Sequence, residues 1–201
     1  VNESVRAGDA EALASALVAS NGRAIHHVVA DERALRGRVT RWADELAATN
    51  ALRVALPSMT AGAQPESSRR GAVVRDALAA LGQRQLLCAL RETPFGSVAI
   101  NAAVEAQLRR AWAVDAQVEW YPGRAVIVTR NDYAAGLFNG DVGLCLADAE
   151  GHLRVWFEAA DGGVRGFAPH ALPAHEAAFA ITIHKAQGSE YRHAAVLLPP
   201  D

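Results

Sequence analysis

Apolar positions in the first third of the chain recur at spacings of three and four, the period of an amphipathic helix. Gly8 or Asp9 can start a helix through Glu11–Ser20, and Asn21-Gly22 supplies a stop. A second helical pattern covers about 24–49, with Ile25, Val28, Val29, Leu35, Val39, Trp42 and Leu46 on one stripe and Gly37 as a candidate break. Residues 57–70, PSMTAGAQPESSRR, have the Pro, Gly and Ser content of a surface loop. A further helix is expected over about 70–82, closed by Gly82.

The period then changes. QLLCAL at 85–90 is a continuous apolar run of the kind found in a buried parallel strand. RETPFGS follows as a loop, and 98–112 reads as a helix, so this region has the strand–loop–helix order of an α/β sheet. Across 121–173 the pattern becomes short β runs: RAVIVT, DVGLCLA, HLRVWFEA and GVRGFA. Asn139-Gly140, Glu150-Gly151 and Asp161-Gly162 punctuate them, and Pro169 and Pro173 bracket the exit. Such spacing predicts a small antiparallel barrel or sandwich. The last stretch returns to the earlier style, with AAFAITI (177–183) and HAAVLL (193–198) as apolar strands around a polar turn. The expected fold class is therefore α/β, with a small β unit inserted into an α/β sheet.

Composition narrows the classes. At 201 residues, 51% hydrophobic and net charge -2, the chain can bury a sizeable core and is not disordered over most of its length. No window approaches the roughly 20 apolar residues of a membrane helix, and the start lacks the regions of a signal peptide, so no membrane partner is expected. Cys88 and Cys145 stand apart within apolar runs, which fits buried thiols in a reducing cytoplasm. With charge near balance, any nucleic-acid contact has to come from a local site. Of the 20 basic residues 19 are arginine, which draws the eye to Lys185.

Several chemistries lack their residues. The one lysine is not in a Gly-x-x-x-x-Gly-Lys phosphate loop. Cys-x-x-Cys, His-Glu-x-x-His and Gly-x-Ser-x-Gly are absent, and His26-His27 has no partner at helical spacing, so no metal is expected. The densest polar chemistry is Thr182-Ile183-His184-Lys185-Ala186-Gln187-Gly188-Ser189-Glu190, at the end of a buried strand. Ligands of open α/β sheets bind there. The same residues also suit a solvated turn, and the pattern alone leaves both readings open.

HKAQGSEY after an apolar strand resembles motif V of superfamily 1 DNA helicases. QLLCALRETPFG with Asn101, WYPGRAVIVTRNDYAAGLFNGDVG, VWFEAADGGVRGFAPHALPAHE and AAVLLP match the RecD-like branch in order, over about 85–201. The resemblance implies a RecA-like motor lobe carrying an inserted SH3-like β-barrel. Residues 1–120 would hold the helical segment and the lobe's first part, 121–173 the barrel, and 174–201 the lobe's return with motif V. It implies an ATP-dependent 5′-to-3′ DNA helicase of exodeoxyribonuclease V, acting in DNA end processing and recombinational repair. Partners would be single-stranded DNA and that complex's beta and gamma subunits.

Site roles carry over by residue. Thr182, His184 and Ser189 would contact DNA phosphates or couple to them, with Lys185 as a phosphate cation. Gln187 and Gly188 would shape the turn on the nucleotide side, and Glu190 would lie near the nucleotide sugar. Arg91, Pro94, Phe95, Gly96 and Asn101 match a loop near the DNA track; Phe95 is either a base-stacking ring or a core aromatic. Arg130, Asn131, Asp132, Asn139 and Gly140 match the barrel signature, with Arg130 either a DNA contact or a turn brace. Walker A, Walker B and an arginine-bearing motif VI are missing, so the chain reads as a C-terminal fragment with no catalytic residue of its own. ATP and Mg2+ would serve the parent protein and not bind this piece. The alternatives are a protein-docking module built on the small β unit, or part of a stand-alone RecD-like helicase.

Overall fold

The computed structural model describes residues 9–20, 25, 27–29, 31–54, 56, 64–148 and 150–199. It divides the chain into units of residues 1–35 and 36–201. In the first, α1 spans Ala10–Ala19. Asp9 starts it as expected: its carboxylate accepts from the Ala12 amide at 2.9 Å and satisfies one of the helix's open donors. Gly8 and the stop at Asn21-Gly22 lie outside the described residues.

The second helix begins later than the periodicity predicts. It is α2, Glu32–Ala47, and Ile25 and Val28 stand exposed ahead of it. The Asp31 carboxylate takes the Ala34 amide at 2.7 Å, a cap that outweighs an apolar pattern with little beneath it. Gly37 does not break the helix. Val39, Ala43 and Leu46 form its buried stripe.

The loop expected over 57–70 is also shorter than its composition suggests. Helix α3 runs Gln64–Gly82, and 57–63 lie outside the described residues. Pro65 is tolerated in the first turn, where its missing N–H has no intrahelical acceptor.

The fold of residues 36–201 is mixed α/β with two sheets. Strand β1 is Arg84–Cys88, helix α4 is Ser97–Ala111, β7 is Ala180–Thr182 and β8 is His193–Leu197. These strands form a parallel sheet in the order β7-β1-β8. The buried parallel strand expected at 85–90 is thus its central member. Register sets Cys88 beside Thr182 on one side and Leu197 on the other, so the carboxyl ends of all three strands coincide. Ile100, Val104 and Leu108 of α4 are buried, as are Leu86, Phe179 and Ile181.

Between β1 and β7 in sequence lie β2 (Ala125–Val128), β3 (Val142–Ala147), β4 (Leu153–Glu158), β5 (Val164–Phe167) and β6 (His175–Ala177). They form an antiparallel sheet in the order β5-β4-β3-β2-β6. Gly140, Gly151 and Gly162 take positive φ at the turns the sequence marked. Val126, Val128, Leu137, Cys145, Val155 and Phe157 make its core.

Two expectations need correction here. The five strands form no closed barrel: β5 and β6 remain at opposite edges, and two residues after β6 the chain enters the parallel sheet. The strand expected over 177–183 is split for the same reason. Ala177 pairs with Val126 in the antiparallel sheet, while Ala180 pairs with Leu86 in the parallel one.

Cys88 and Cys145 are buried free thiols. Burial pushes Cys88 up to about 11 and Cys145 up to about 12. Because the thiolate is the reactive form, the native chain at pH 8 should resist a thiol reagent until denaturant is added. Rapid labelling of the native protein would mean that the sheets open readily.

Candidate DNA-contact site at the carboxyl edge of the parallel sheet

The polar segment after β7 starts at Thr182, half-buried and last in its strand. A single 3-10 turn, Ile183–Ala186, follows; the Ser189 amide donates to the Ala186 carbonyl at 3.0 Å. Buried Ala186 anchors this turn, while His184, Gln187, Gly188, Ser189 and Glu190 are exposed. Gly188 has φ +84°, the left-handed region where glycine carries no steric penalty, and nothing lies within 4 Å of where a Cβ would stand. The geometry therefore offers a row of donors and acceptors to solvent.

The loop after β1 reaches the same edge. Arg91 leads it, and the Val98 amide donates to the Arg91 carbonyl at 3.1 Å, tying the loop to the start of α4. An open hollow of about 570 Å³ is lined by Arg91, Glu92, Thr93, Pro94, Val98, Ala99 and Ala102. Phe95 is half-buried beside it.

A carboxylate that the sequence pattern did not single out joins the two segments. Glu176, on β6, pairs through Oε1 with the Lys185 ammonium and through Oε2 with Arg91 Nη2 at 3.3 Å. Burial disfavours its charge, but Lys185 and Arg91 outweigh that and hold the carboxyl below the usual carboxylate range. Its contribution to stability is thus present above the ordinary carboxylate pKa and fades as pH falls through the lowered value. The nearest sequence signal was a charged residue two positions before the apolar run AFAITI. Lys185 itself is half-buried rather than freely solvated.

Asn101 is placed differently from expectation. It is buried, and its amide is spent inside the fold. Nδ2 donates to the Ala177 and Ala180 carbonyls at 2.9 and 2.7 Å, and Oδ1 accepts from the Ala180 amide at 2.8 Å. It is a positioning residue for the start of β7, not a group on the surface. Gln85 works from the other side, with Nε2 donating to the Ala178 and Phe179 carbonyls at 3.3 and 3.1 Å.

Arg130 belongs to the antiparallel sheet's side of the chain. It is exposed just past β2, where Val128 lies opposite His175. The rest of the matching segment braces itself. Asn131 accepts from the Asn139 amide at 2.8 Å, Asp132 from the Ala135 amide at 3.0 Å, and Arg165 donates to the Ala135 and Gly136 carbonyls. This braced loop exposes Tyr133 and Phe138 edge to face.

The parallel-sheet edge, with its exposed turn and an arginine-bearing loop beside it, has the layout of an α/β ligand site. No model of a known protein family matches the chain. Sequence relatives are informative. The RecBCD enzyme subunit RecD of Haemophilus influenzae is 39% identical over 120 residues, covering 58% of this chain and 17% of that protein. The subunit of the same name from Mycolicibacterium smegmatis is 39% identical over 127 residues, covering 63% and 22%. The ATP-dependent RecD2 DNA helicase of Deinococcus radiodurans is 32% identical over 126 residues, covering 62% and 17%. The chain therefore spans about a fifth of the length of these relatives. Over the matched stretch, this chain is similar to RecD proteins. No helix among the described residues is long and apolar enough to cross a membrane.

Proposed function

We propose that the chain is the DNA-gripping part of a RecD-like, ATP-dependent DNA helicase, with β1, β7, β8 and α4 belonging to a RecA-like lobe. The observation that carries this reading is the coincidence of the motif turn and the Arg91 loop at the carboxyl ends of adjacent parallel strands, in a chain whose relatives are RecD proteins. Thr182, His184, Lys185 and Ser189 would face the phosphates of one strand, with Arg91 beside them. Gln187, Gly188 and Glu190 would form this lobe's side of an ATP and Mg2+ cleft.

Phosphoryl transfer needs a phosphate cradle, a magnesium site and an electrophilic arginine held together. The 201 residues contain no phosphate-loop lysine, so this chain by itself should not hydrolyse ATP, which a single-turnover assay checks. In the whole motor, the beta and gamma subunits of exodeoxyribonuclease V would be the protein partners. The antiparallel sheet is the inserted module of that lobe.

The test is binding of a labelled single-stranded oligonucleotide across a salt series, beside a His184→Ala, Lys185→Ala double variant. The chain should bind with a log–log salt slope of about -0.7 for each phosphate neutralised, and the variant should weaken binding and flatten the slope. Binding unchanged in the variant would remove the motif turn from the DNA site. Absence of binding at low salt would favour a protein-docking role for the antiparallel sheet, whose Tyr133 and Phe138 are exposed.

A further inference from the structure

The single lysine of this arginine-rich chain does not wait for a ligand with its charge unopposed. It meets Glu176, and the same carboxylate meets Arg91. Three separate segments supply these groups: the loop after β1, the strand β6 and the turn after β7. Arg91 also pairs with Glu92, but that carboxylate is 74% exposed and its pairing carries little weight. Glu176 is different. Its side chain is 23% exposed, as is that of Lys185, so the pair is partly shielded from solvent.

The backbone position of Glu176 does not depend on its side chain. Residues 175–177 pair with Val126–Val128 through the antiparallel ladder, with Glu176 opposite Ile127. The fold thus delivers a carboxylate to two cations by a route independent of the pairing itself. Two oxygens accepting from an arginine and a lysine are also what a phosphodiester offers. A phosphate could satisfy both cations only by taking the carboxylate's place.

We infer that Glu176 is a resident competitor for the phosphate backbone: it occupies the Arg91–Lys185 seat in the unbound chain and yields it when single-stranded DNA binds. The inference rests on the DNA-binding reading above and adds a regulator of that site. Glu176 sets the affinity and the salt dependence of the grip. It keeps two cations from holding non-specific anions while leaving them placed for a strand. Without the carboxylate, the local charge of Arg91, Lys185, Glu176 and Glu92 rises from zero to plus one.

The experiment compares the chain with Glu176→Gln and Glu176→Ala, titrated with a fluorescent oligothymidylate at several salt concentrations. Competition predicts that both variants bind roughly three- to tenfold more tightly at low salt. It also predicts a slope steeper by about 0.7 for each additional phosphate neutralised. A second readout uses the unmodified sequence. Reductive 13C-methylation keeps the charge of Lys185 and places one lysine resonance in the spectrum, which the oligonucleotide should shift as Glu176 is displaced.

Unchanged or weaker binding in both variants, while the parent chain binds, overturns the competitor role and leaves the DNA-binding reading standing. So does a lysine resonance that stays fixed at saturating oligonucleotide. If neither the chain nor its variants bind, both readings fall. A variant that binds where the parent chain does not would mean that Glu176 blocks the seat without yielding it, which overturns the exchange proposed here.

Discussion

Asn101→Leu should lower the thermal midpoint by roughly 6–12 °C. Leucine keeps the branching and the number of heavy atoms, but its methyls are bulkier than the amide oxygen and NH2 and add some crowding. What disappears is a set of three hydrogen bonds to the Ala177 carbonyl and to the carbonyl and amide of Ala180. β7 is an edge strand of the parallel sheet, and Ala180 turns both of its backbone groups toward the Asn101 amide. The side chain acts there as a neighbouring strand would. Buried backbone groups left without partners cost about 1–3 kcal/mol each. Partial rescue by water brings the expected total to about 3 kcal/mol, and each kcal/mol moves the midpoint by about 2–4 °C at this chain length. Calorimetry on the parent chain and the variant checks it. A shift under about 2 °C would mean that the junction between the sheets finds other partners.

The same substitution reaches the site. Residues 177–180 carry the chain from the antiparallel sheet to the strand that ends at Thr182. Two buried amides, Asn101 from α4 and Gln85 from β1, hold that crossing from different sides. Loosening it should weaken oligonucleotide binding even at temperatures where the variant is folded. Loss of stability with binding intact would show that the motif turn is anchored by Ala186 alone.

Much of this arrangement is legible in the sequence because local signals and burial agree. QLLC is a continuous apolar run, and it is a strand flanked by strands on both sides. The glycines at 140, 151 and 162 mark turns, and those turns occur. The start of α2 was less legible because a period reports which residues could share a face, not whether a face has anything to cover; Asp31 decided it. The roles of Asn101 and Glu176 were hidden for a different reason. Each acts on groups that only folding brings alongside: Asn101 on Ala177 and Ala180, Glu176 on Arg91 and Lys185. An amide that replaces a strand and a carboxylate that fills an anion seat look, in one dimension, like any polar residue near an apolar run.

Gly96→Ala tests how tightly the Arg91 loop is built, and both stability and binding should fall. The backbone of Gly96 is extended, φ -85° and ψ 161°, so its dihedrals suit any residue. The obstacle is space. A Cβ there would stand 2.4 Å from the Arg91 carbonyl oxygen, 2.5 Å from its carbon and 2.8 Å from the Thr93 nitrogen. All three are backbone atoms, so no flexible side chain can swing away. Moving Arg91 would strain the bonds from the Ser97 amide to the Leu90 carbonyl and from the Val98 amide to the Arg91 carbonyl, which tie the loop to α4. Overpacking of this kind costs about 1–3 kcal/mol. Gly37→Ala is the matched control, since it lies inside α2 with nothing within 4 Å of the new methyl. It should stabilise by about 0.5–1 kcal/mol and leave binding untouched. If alanine at 96 behaves like alanine at 37, the loop yields without displacing Arg91, and the arginine's position owes nothing to the glycine. If binding falls as far as it does in Arg91→Ala, the glycine is what sets the guanidinium within reach of Glu176 and of any phosphate that replaces it.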